Sequence, residues 1–207
     1  MTLEALLPPR AVLFDRDGTL VVDVPYNHDP DLVRPMPGAR EVLDAIRAAG
    51  LPCGVLTNQS GIARGLLDRG QVDAVNARVE ELLGPFDMWE VCPHGPADGC
   101  ACRKPQPGMV RQACERLGLQ PREVAFIGDI GADVEAAAAA GARGVLVPTP
   151  ITRAEEVEAA TLVAPDLAAA LELLFGAELP VRRDAAPRDV DEESGALQAA
   201  DGPGGGR

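Results

Sequence analysis

The chain has 207 residues, with 32 acidic and 19 basic side chains and a formal net charge of −13. That length suits one ordinary domain with a short extension, and a hydrophobic fraction of 46% excludes wholesale disorder. Phosphate backbones and anionic lipid surfaces attract basic patches, so this acidic, aromatic-poor chain is predicted to bind no nucleic acid and no membrane.

The sequence shows neither a signal peptide nor a membrane-spanning segment. Residues 1–10 lack a basic stretch followed by an apolar one, and no apolar run reaches the roughly 18 residues of a transmembrane helix. We therefore predict a cytoplasmic protein whose five cysteines stay reduced instead of forming structural disulfides.

Short apolar runs alternate with amphipathic stretches. In chain order they predict a strand at 11–14, a helix at 38–49, a strand at 53–56, a helix at 66–83, a strand at 86–91, a helix at 108–117, a strand at 124–127, a helix at 132–140, a strand at 144–147 and a helix at 166–175. This alternation is typical of βαβ units and predicts an α/β fold, a Rossmann-like three-layer α/β/α sandwich with a mostly parallel sheet. Residues 177–207 are acidic and Gly-rich without apolar periodicity, and we predict a disordered tail there.

Polar side chains follow three of the predicted strands. Asp15, Thr57 and Asp129 come directly after their apolar runs. Parallel strands joined by right-handed crossovers all end on one edge of the sheet, which is where α/β proteins bind ligands. The three side chains are therefore predicted to converge on one site.

The segment after the first strand carries two carboxylates, Asp15 and Asp17, two residues apart. Asp15 is placed for in-line attack on phosphorus, and Asp17 is placed to protonate the leaving oxygen and later to deprotonate water. Taken alone, the motif is equally compatible with a polar turn. The other strand ends favour a catalytic site, because Thr57 and Asn58 can hydrogen-bond phosphoryl oxygens and Asp129 can complete an Mg²⁺ site with Asp15.

Lys104 is the candidate cation for a transferring phosphoryl group. It is the only lysine, since the other 18 basic residues are arginines, and it lies in Arg103-Lys104-Pro105 beside a cysteine-rich segment. A compact ammonium suits a point contact with the nucleophile and the phosphoryl oxygens. The alternative is a surface lysine placed there by chance.

Three of the five cysteines belong to a C-x-H-x5-C-x-C motif formed by Cys92, His94, Cys100 and Cys102. Three thiolates and one imidazole fill the tetrahedral shell of zinc, so we predict a structural zinc site in the loop 92–102. Unconnected thiols in a flexible loop are the alternative. A zinc ion here would rigidify the segment that leads into Lys104.

Four motifs, in this order, resemble those of the haloacid dehalogenase (HAD) superfamily of phosphatases: DRDGTL (15–20), TNQSGIARG (57–65), CRKPQPGM (102–109) and GDIGAD (128–133). More narrowly, they are similar to D-glycero-D-manno-heptose 1,7-bisphosphate 7-phosphatases and histidinol-phosphate phosphatases, over about residues 10–150. The resemblance implies a HAD-like phosphatase domain at 1–176. Because no large insertion separates the motifs of the first two strands, we expect no large cap domain.

The resemblance also implies roles for individual residues. Asp15 is then the nucleophile and Asp17 the acid/base, with Mg²⁺ held by Asp15, the backbone carbonyl of Asp17, and Asp129. Thr57 and Lys104 stabilise the phosphoryl group. The positions of substrate contact are those of Asp23, Tyr26, Thr57, Asn58, Gln59, Ser60, Arg103 and Lys104.

The phosphate ester is the least determined feature. TNQSGIARG and residues 107–109 are similar to the heptose enzymes and favour removal of the 7-phosphate of the heptose bisphosphate. The five residues between His94 and Cys100 are more like histidinol-phosphate phosphatases. Ile130 also stands where the family often has Lys, which puts one substrate-phosphate contact in doubt. A generalist sugar phosphatase is a third alternative.

A catalytically silent, zinc-stabilised binding module is the alternative from another class. Such a module has no need to retain all five of Asp15, Asp17, Thr57, Lys104 and Asp129, so the motifs favour an enzyme. A nucleic-acid 3′-phosphatase is disfavoured by the net charge of −13. We expect a small-molecule phosphate ester as substrate and a monomer as the default state.

Overall fold

A five-stranded parallel sheet organises the computed structural model, which describes residues 7–176 and 179. Its strands are β1 (Ala11–Phe14), β2 (Cys53–Asn58), β3 (Met88–Cys92), β4 (Val124–Gly128) and β5 (Arg143–Leu146), and their order in the sheet is β3-β2-β1-β4-β5. The helices are α1 (Ala39–Ala48), α2 (Arg69–Leu83), α3 (Gly108–Leu117), α4 (Gly131–Ala140), α5 (Ala154–Ala159) and α6 (Leu167–Phe175). Apart from Leu179, the predicted tail at 177–207 lies outside the described residues.

Helices cover both faces of the sheet, as the central strand β1 shows. Val12 and Phe14 pack into one apolar core with α1, α2 and α6, whereas Ala11 and Leu13 pack into a second core with α3 and α4. All four side chains are fully buried, which explains why the strand is a continuous apolar run without polar alternation. The predicted three-layer α/β/α sandwich is confirmed.

The strand order predicts a ligand-binding crevice at the carboxyl ends of β1 and β4. Chain connections run outward from β1 to β2 and β3, and then outward on the other side from β4 to β5, so the order reverses between β1 and β4. Open α/β sheets bind ligands at such a reversal. Phe14 pairs with Ile127, and the Asp15 N–H donates to the Ile127 carbonyl at 2.9 Å, which places Asp15 beside the end of β4.

Two details differ from the sequence expectations. Thr57 and Asn58 lie inside β2, not after it, because they pair with Val91 and Cys92 of β3. The short helix α5 was not predicted, and none of its residues is buried, so apolar periodicity gave no signal for it.

The segment between β1 and α1 contains one short 3₁₀ turn, Pro30–Leu32, and no cap domain is inserted anywhere in residues 7–176. None of the helices in that part of the chain has the length and apolar character needed to cross a membrane.

Candidate active site

Asp15 and Lys104 meet at the carboxyl edge of the sheet. The Lys104 ammonium donates to Asp15 Oδ1 at 2.6 Å and to the Leu56 carbonyl at 2.9 Å, and it lies 2.7 Å from Asp133 Oδ1. The ammonium thus makes two hydrogen bonds and one further ion pair. Lys104 is 3% exposed, so its single charge is directed at the carboxylates and screened from bulk water.

Asp133 is a member of the site that the sequence interpretation left without a role. It lies in the first turn of α4 and is fully buried. Its Oδ2 accepts a hydrogen bond from the Ile130 N–H at 3.2 Å, while its Oδ1 faces Lys104. Any side chain at Gly128 would collide with this carboxylate, so the glycine of the Gly-Asp pair makes room for it. The only sequence signal was its position four residues after Asp129.

Three buried carboxylates share this edge. Oxygens of Asp15, Asp129 and Asp133 lie within 4.8 Å of one another, and Lys104 offsets one of the three negative charges. Burial raises the pKa of Asp129 to about 7, with the neighbouring Asp133 adding to the effect. Burial also raises the pKa of Asp15 well above its ordinary value, although Lys104 opposes the shift. Burial favours a lower pKa for Lys104, but Asp133 and Asp15 outweigh it and raise that pKa. The raised pKa values show that full ionisation of the three carboxyls is unfavourable without a cation, because Lys104 balances only one of their charges.

Asp17 faces the same cavity and is held on both carboxylate oxygens. Arg16 donates from Nε to Oδ1 at 3.0 Å and from Nη2 to Oδ2 at 2.9 Å. Gln59 Nε2 donates to Asp17 Oδ2 and to the Thr57 hydroxyl, both at 2.9 Å. Gln59 thus links the end of β2 to the acidic loop after β1.

Gly18 allows the acidic loop to pass close to β4. Its φ of +81° lies in the left-handed region, and a Cβ there would collide with the Asp129 carboxylate. The Asp129 Oδ1 also accepts from the Thr19 hydroxyl at 3.4 Å. A glycine is therefore required for Asp15 and Asp129 to approach each other.

A cavity of about 340 Å³ opens above these groups. The lining includes nine of the predicted catalytic, metal and substrate residues besides Asp129: Asp15, Asp17, Asp23, Tyr26, Thr57, Asn58, Gln59, Ser60 and Lys104. Ile130 and Ile151 form an apolar part of the wall. Arg103 does not line this cavity. It lies in an adjoining cavity of about 500 Å³ that shares Lys104, and its guanidinium donates to the His94 carbonyl at 3.4 Å.

Asp23 and Tyr26 lie on the wall of the 340 Å³ cavity, and Arg64 contacts Tyr26; we call these three residues the rim. Tyr26 has a φ of +54°, unusual for a residue with a side chain. Arg64 donates to the Tyr26 hydroxyl at 2.7 Å, and its guanidinium carbon lies 5.7 Å from the ring centroid. Partial burial raises the pKa of Asp23, and Asp17 adds to the shift while Arg16 opposes it. Arg64 was not among the predicted residues.

The end of β2 is tied to the segment containing the lysine. Asn58 Nδ2 donates to the Lys104 carbonyl at 3.2 Å, and the Lys104 N–H donates to Asn58 Oδ1 at 3.1 Å. This reciprocal pair fixes the backbone from which the ammonium extends.

The four residues of the predicted zinc motif converge. Cys102 Sγ lies 3.2 Å from both Cys92 Sγ and His94 Nδ1 and 3.5 Å from Cys100 Sγ, and Cys92 and Cys100 are 3.8 Å apart. A tetrahedron with Zn–S bonds of about 2.3 Å has edges of about 3.8 Å, so these separations fit one zinc ion. Burial raises the pKa of the Cys92 thiol to about 12, and a nearby cation is needed to hold it as a thiolate.

Comparison with known proteins identifies the family. A model of the HAD-hydrolase-like family matches residues 101–170. The D-glycero-β-D-manno-heptose-1,7-bisphosphate 7-phosphatase of Pseudomonas aeruginosa is 40% identical over 172 residues, covering 79% of this chain and 97% of that protein. The chain belongs to this family of HAD phosphatases. The Bordetella bronchiseptica enzyme of the same name is 36% identical over 175 residues, covering 80% of this chain and 98% of its own.

A solved structure of a HAD phosphatase agrees with this assignment. The crystal structure of D,D-heptose 1,7-bisphosphate phosphatase from B. bronchiseptica, complexed with magnesium and phosphate, superposes with a TM-score of 0.73 at 36% identity. It covers 80% of this chain and 97% of the solved one. The predictions of a HAD fold and of a phosphatase are confirmed.

Proposed function

We propose that the chain removes the 7-phosphate of D-glycero-D-manno-heptose 1,7-bisphosphate in an Mg²⁺-dependent reaction through an aspartyl-phosphate intermediate. The single observation that carries the chemistry is the 2.6 Å contact between Asp15 and Lys104 at the floor of a cavity large enough for a sugar phosphate. The relatives that match over nearly their whole length bear the name of this reaction, and they support the substrate.

In this proposal Asp15 is the nucleophile and Asp17 the acid/base. An Asp15 carboxylate oxygen bonds to phosphorus as the bond from phosphorus to the sugar oxygen breaks, and Asp17 gives that oxygen its proton. Asp17 then takes a proton from water, which attacks the aspartyl phosphate, releases inorganic phosphate and restores Asp15. The Thr57 hydroxyl and the Lys104 ammonium bind the phosphoryl oxygens.

Asp15, Asp129 and the backbone carbonyl of Asp17 are proposed to hold Mg²⁺. The donors fit, because this cation prefers hard oxygen ligands and would favour ionisation of the three carboxyls, of which Lys104 balances only one. Asp133 has both oxygens engaged, by Lys104 and by the Ile130 N–H, so we assign it to holding the lysine. When bound, the metal would neutralise charge on the phosphoryl group.

The zinc ion is proposed to be structural. Cys92, His94, Cys100 and Cys102 supply four ligands, which leaves no open position for a substrate or water. The loop continues directly into Arg103 and Lys104, so the ion would fix the approach of the ammonium to Asp15.

Substrate contacts are proposed for the cavity wall. Asp23, Tyr26, Asn58, Gln59 and Ser60 present hydrogen-bonding groups for the sugar hydroxyls. Arg103 is proposed to contact the substrate from the adjoining cavity, which shares Lys104 with the 340 Å³ cavity. Its guanidinium would supply the positive charge that Ile130 does not bring to the 340 Å³ cavity. We also propose that the protein acts as a cytoplasmic monomer on a small-molecule ester, without nucleic acid or membrane.

Histidinol phosphate is the second candidate substrate, favoured by the apolar Ile130 in the wall and by the short spacing from His94 to Cys100. Phosphate release with Mg²⁺ and each ester at matched concentration decides between them. We expect kcat/KM to favour the heptose bisphosphate by at least about tenfold. A preference for histidinol phosphate would replace the substrate and keep the chemistry. Release of phosphate from either ester at the same rate by Asp15→Asn would overturn the mechanism itself.

A further inference from the structure

Arg16 is among the largest fully buried side chains in the described part of the chain, although its guanidinium remains charged. A buried charge is costly unless it is paired. Two of its nitrogens form the fork on Asp17, and its Nη1 donates to Asn76 Oδ1 at 2.7 Å. The guanidinium is thus fixed from two sides, by a carboxylate in the cavity and by an amide behind it.

Asn76 takes its position from α2 and not from the catalytic loop. It is 7% exposed and lies on the same buried face of the helix as Val72, Val75 and Val79. Asp68 and Gln71 form a capping box that fixes the start of α2, with hydrogen bonds of 2.8 and 2.9 Å. The amide is therefore a rigid anchor sixty residues away from Arg16 in the chain.

We propose that Arg16, anchored by Asn76, is a positioning residue for the acid/base carboxyl of Asp17. This inference rests on the proposed function. A bidentate fork fixes the plane of a carboxylate as well as its place. When Asp17 gives its proton to the leaving oxygen, the negative charge that remains on the carboxylate lies against the guanidinium, which itself exchanges no proton. Without the fork, Asp17 would be tethered only by Gln59.

Leaving-group dependence separates positioning of an acid from general loosening of the fold. A sugar alkoxide is a poor leaving group and needs the proton, whereas 4-nitrophenolate leaves readily without one. The ratio kcat/KM reports the steps through departure of the leaving group and excludes the later attack of water. A misplaced Asp17 should therefore reduce kcat/KM for the heptose bisphosphate much more than for 4-nitrophenyl phosphate.

The decisive variant is Asn76→Leu, which keeps the branched shape and the number of heavy atoms and removes the oxygen that anchors Arg16. We expect kcat/KM to fall about tenfold for heptose bisphosphate and less than about twofold for 4-nitrophenyl phosphate. Asn76→Asp retains an acceptor oxygen and should restore the ratio of the two substrates. Val79→Ala is the matched control, because it weakens core packing on the same helix without touching Arg16.

Arg16→Lys provides a second variant if Asn76→Leu does not fold, since it keeps the buried charge and loses the fork. The same selective loss is expected for it. Equal losses on both substrates, or the same selective loss in Val79→Ala, would overturn the inference. Asp17→Asn tests the acid role of Asp17, on which the positioning role depends. If this variant loses activity equally on the heptose bisphosphate and on 4-nitrophenyl phosphate, both roles are wrong. A selective loss in Asp17→Asn without one in Asn76→Leu and Arg16→Lys overturns the positioning role alone.

Discussion

The molecule gathers reactive side chains in two places by different means. The carboxylate cluster consists of Asp15, Asp129 and Asp133 with Lys104. It is assembled from the ends of β1 and β4, the start of α4 and the segment before α3, and every member is buried. The cysteine loop, 92–102, supplies its four candidate ligands from eleven consecutive residues, and three of the four are only half-buried. Core packing fixes the first group, whereas in the second only Cys92 is fully buried and Cys100 and Cys102 lie at the edge of a core.

This difference predicts opposite responses to substitution. The sheet holds the carboxylate cluster in place even though burial raises the pKa values of Asp15 and Asp129, so the fold stabilises an arrangement that is electrostatically unfavourable without a cation. The cysteine loop is proposed to depend on a bound zinc ion for its shape. Changes in the cluster should remove chemistry and spare the fold. Changes in the loop should mainly lower stability, with a smaller effect on activity through Lys104.

The largest effect is expected for Asp15→Asn. An amide cannot form the phosphoenzyme, so kcat should fall at least about 10³-fold. The melting temperature without Mg²⁺ should stay the same or rise, because the substitution removes a buried negative charge. Phosphate release and calorimetry measure the two quantities. Residual activity above about 1% of the wild type, or a large loss of stability, would contradict the contrast between the two regions.

The cysteine loop should respond through stability. Cys102→Ala removes one of four ligands, and we expect loss of zinc with a fall in melting temperature of about 10 °C, the equivalent of roughly 3 kcal/mol. Activity at low temperature should fall far less than in Asp15→Asn. Cys114→Ala is the control, since that buried thiol lies in α3 outside the cluster. One zinc per chain in both variants would show that Cys102 is not a ligand.

The sequence was sufficient for the layers of the fold and for the convergence of Asp15, Thr57 and Asp129. Continuous apolar runs predict buried parallel strands, and parallel strands leave their ends on one edge whatever the details of packing. The cysteine motif was readable because all its members are local.

The contacts between individual side chains could not be predicted from the sequence in the same way. The contact between Asp133 and Lys104 depends on how α4 is oriented, and the contact between Arg16 and Asn76 depends on the register of α2 against the loop. Both orientations come from packing across the whole domain. The placement of Arg103 outside the main cavity likewise depends on the path of the cysteine loop, which no motif specifies.

An effect of intermediate size is expected on the pH dependence of stability, which the carboxylate cluster should influence and the cysteine loop should not. In the metal-free protein the pKa of Asp129 is raised to about 7, above its value in the unfolded chain. Its ionisation therefore opposes folding, and stability should fall as pH rises through 7. Between pH 6 and 8 this loss is about 1 kcal/mol, or a few degrees in melting temperature. Mg²⁺ should thus raise the melting temperature more at pH 8 than at pH 6.

Asp129→Asn is the control for this measurement, and it should reduce the metal-free dependence between pH 6 and 8, with any remainder assigned to Asp15, whose pKa is also raised. Equal stabilisation by Mg²⁺ at the two pH values would mean that Asp129 does not share the metal site. The cysteine loop must be kept loaded with zinc throughout, so that only the carboxylate cluster titrates.

The smallest effect is expected at the rim, which belongs to neither region. Tyr26 holds a left-handed backbone conformation that costs about 1 kcal/mol in a residue with a side chain, and the hydrogen bond and ring contact with Arg64 oppose its release. Arg64→Ala and Tyr26→Phe should each raise KM for the heptose bisphosphate about threefold and leave kcat unchanged, because neither residue contacts the carboxylate cluster.

The double variant at the rim decides whether the two residues act as a pair. If Arg64 acts only through Tyr26, the double variant should raise KM no more than the larger single change, since both substitutions break one interaction. Arg69→Ala, which removes an exposed arginine paired with Asp73 on α2, is the matched control and should leave KM unchanged. Fully additive effects would mean that Arg64 acts on the substrate independently of Tyr26, as a direct contact of its guanidinium would.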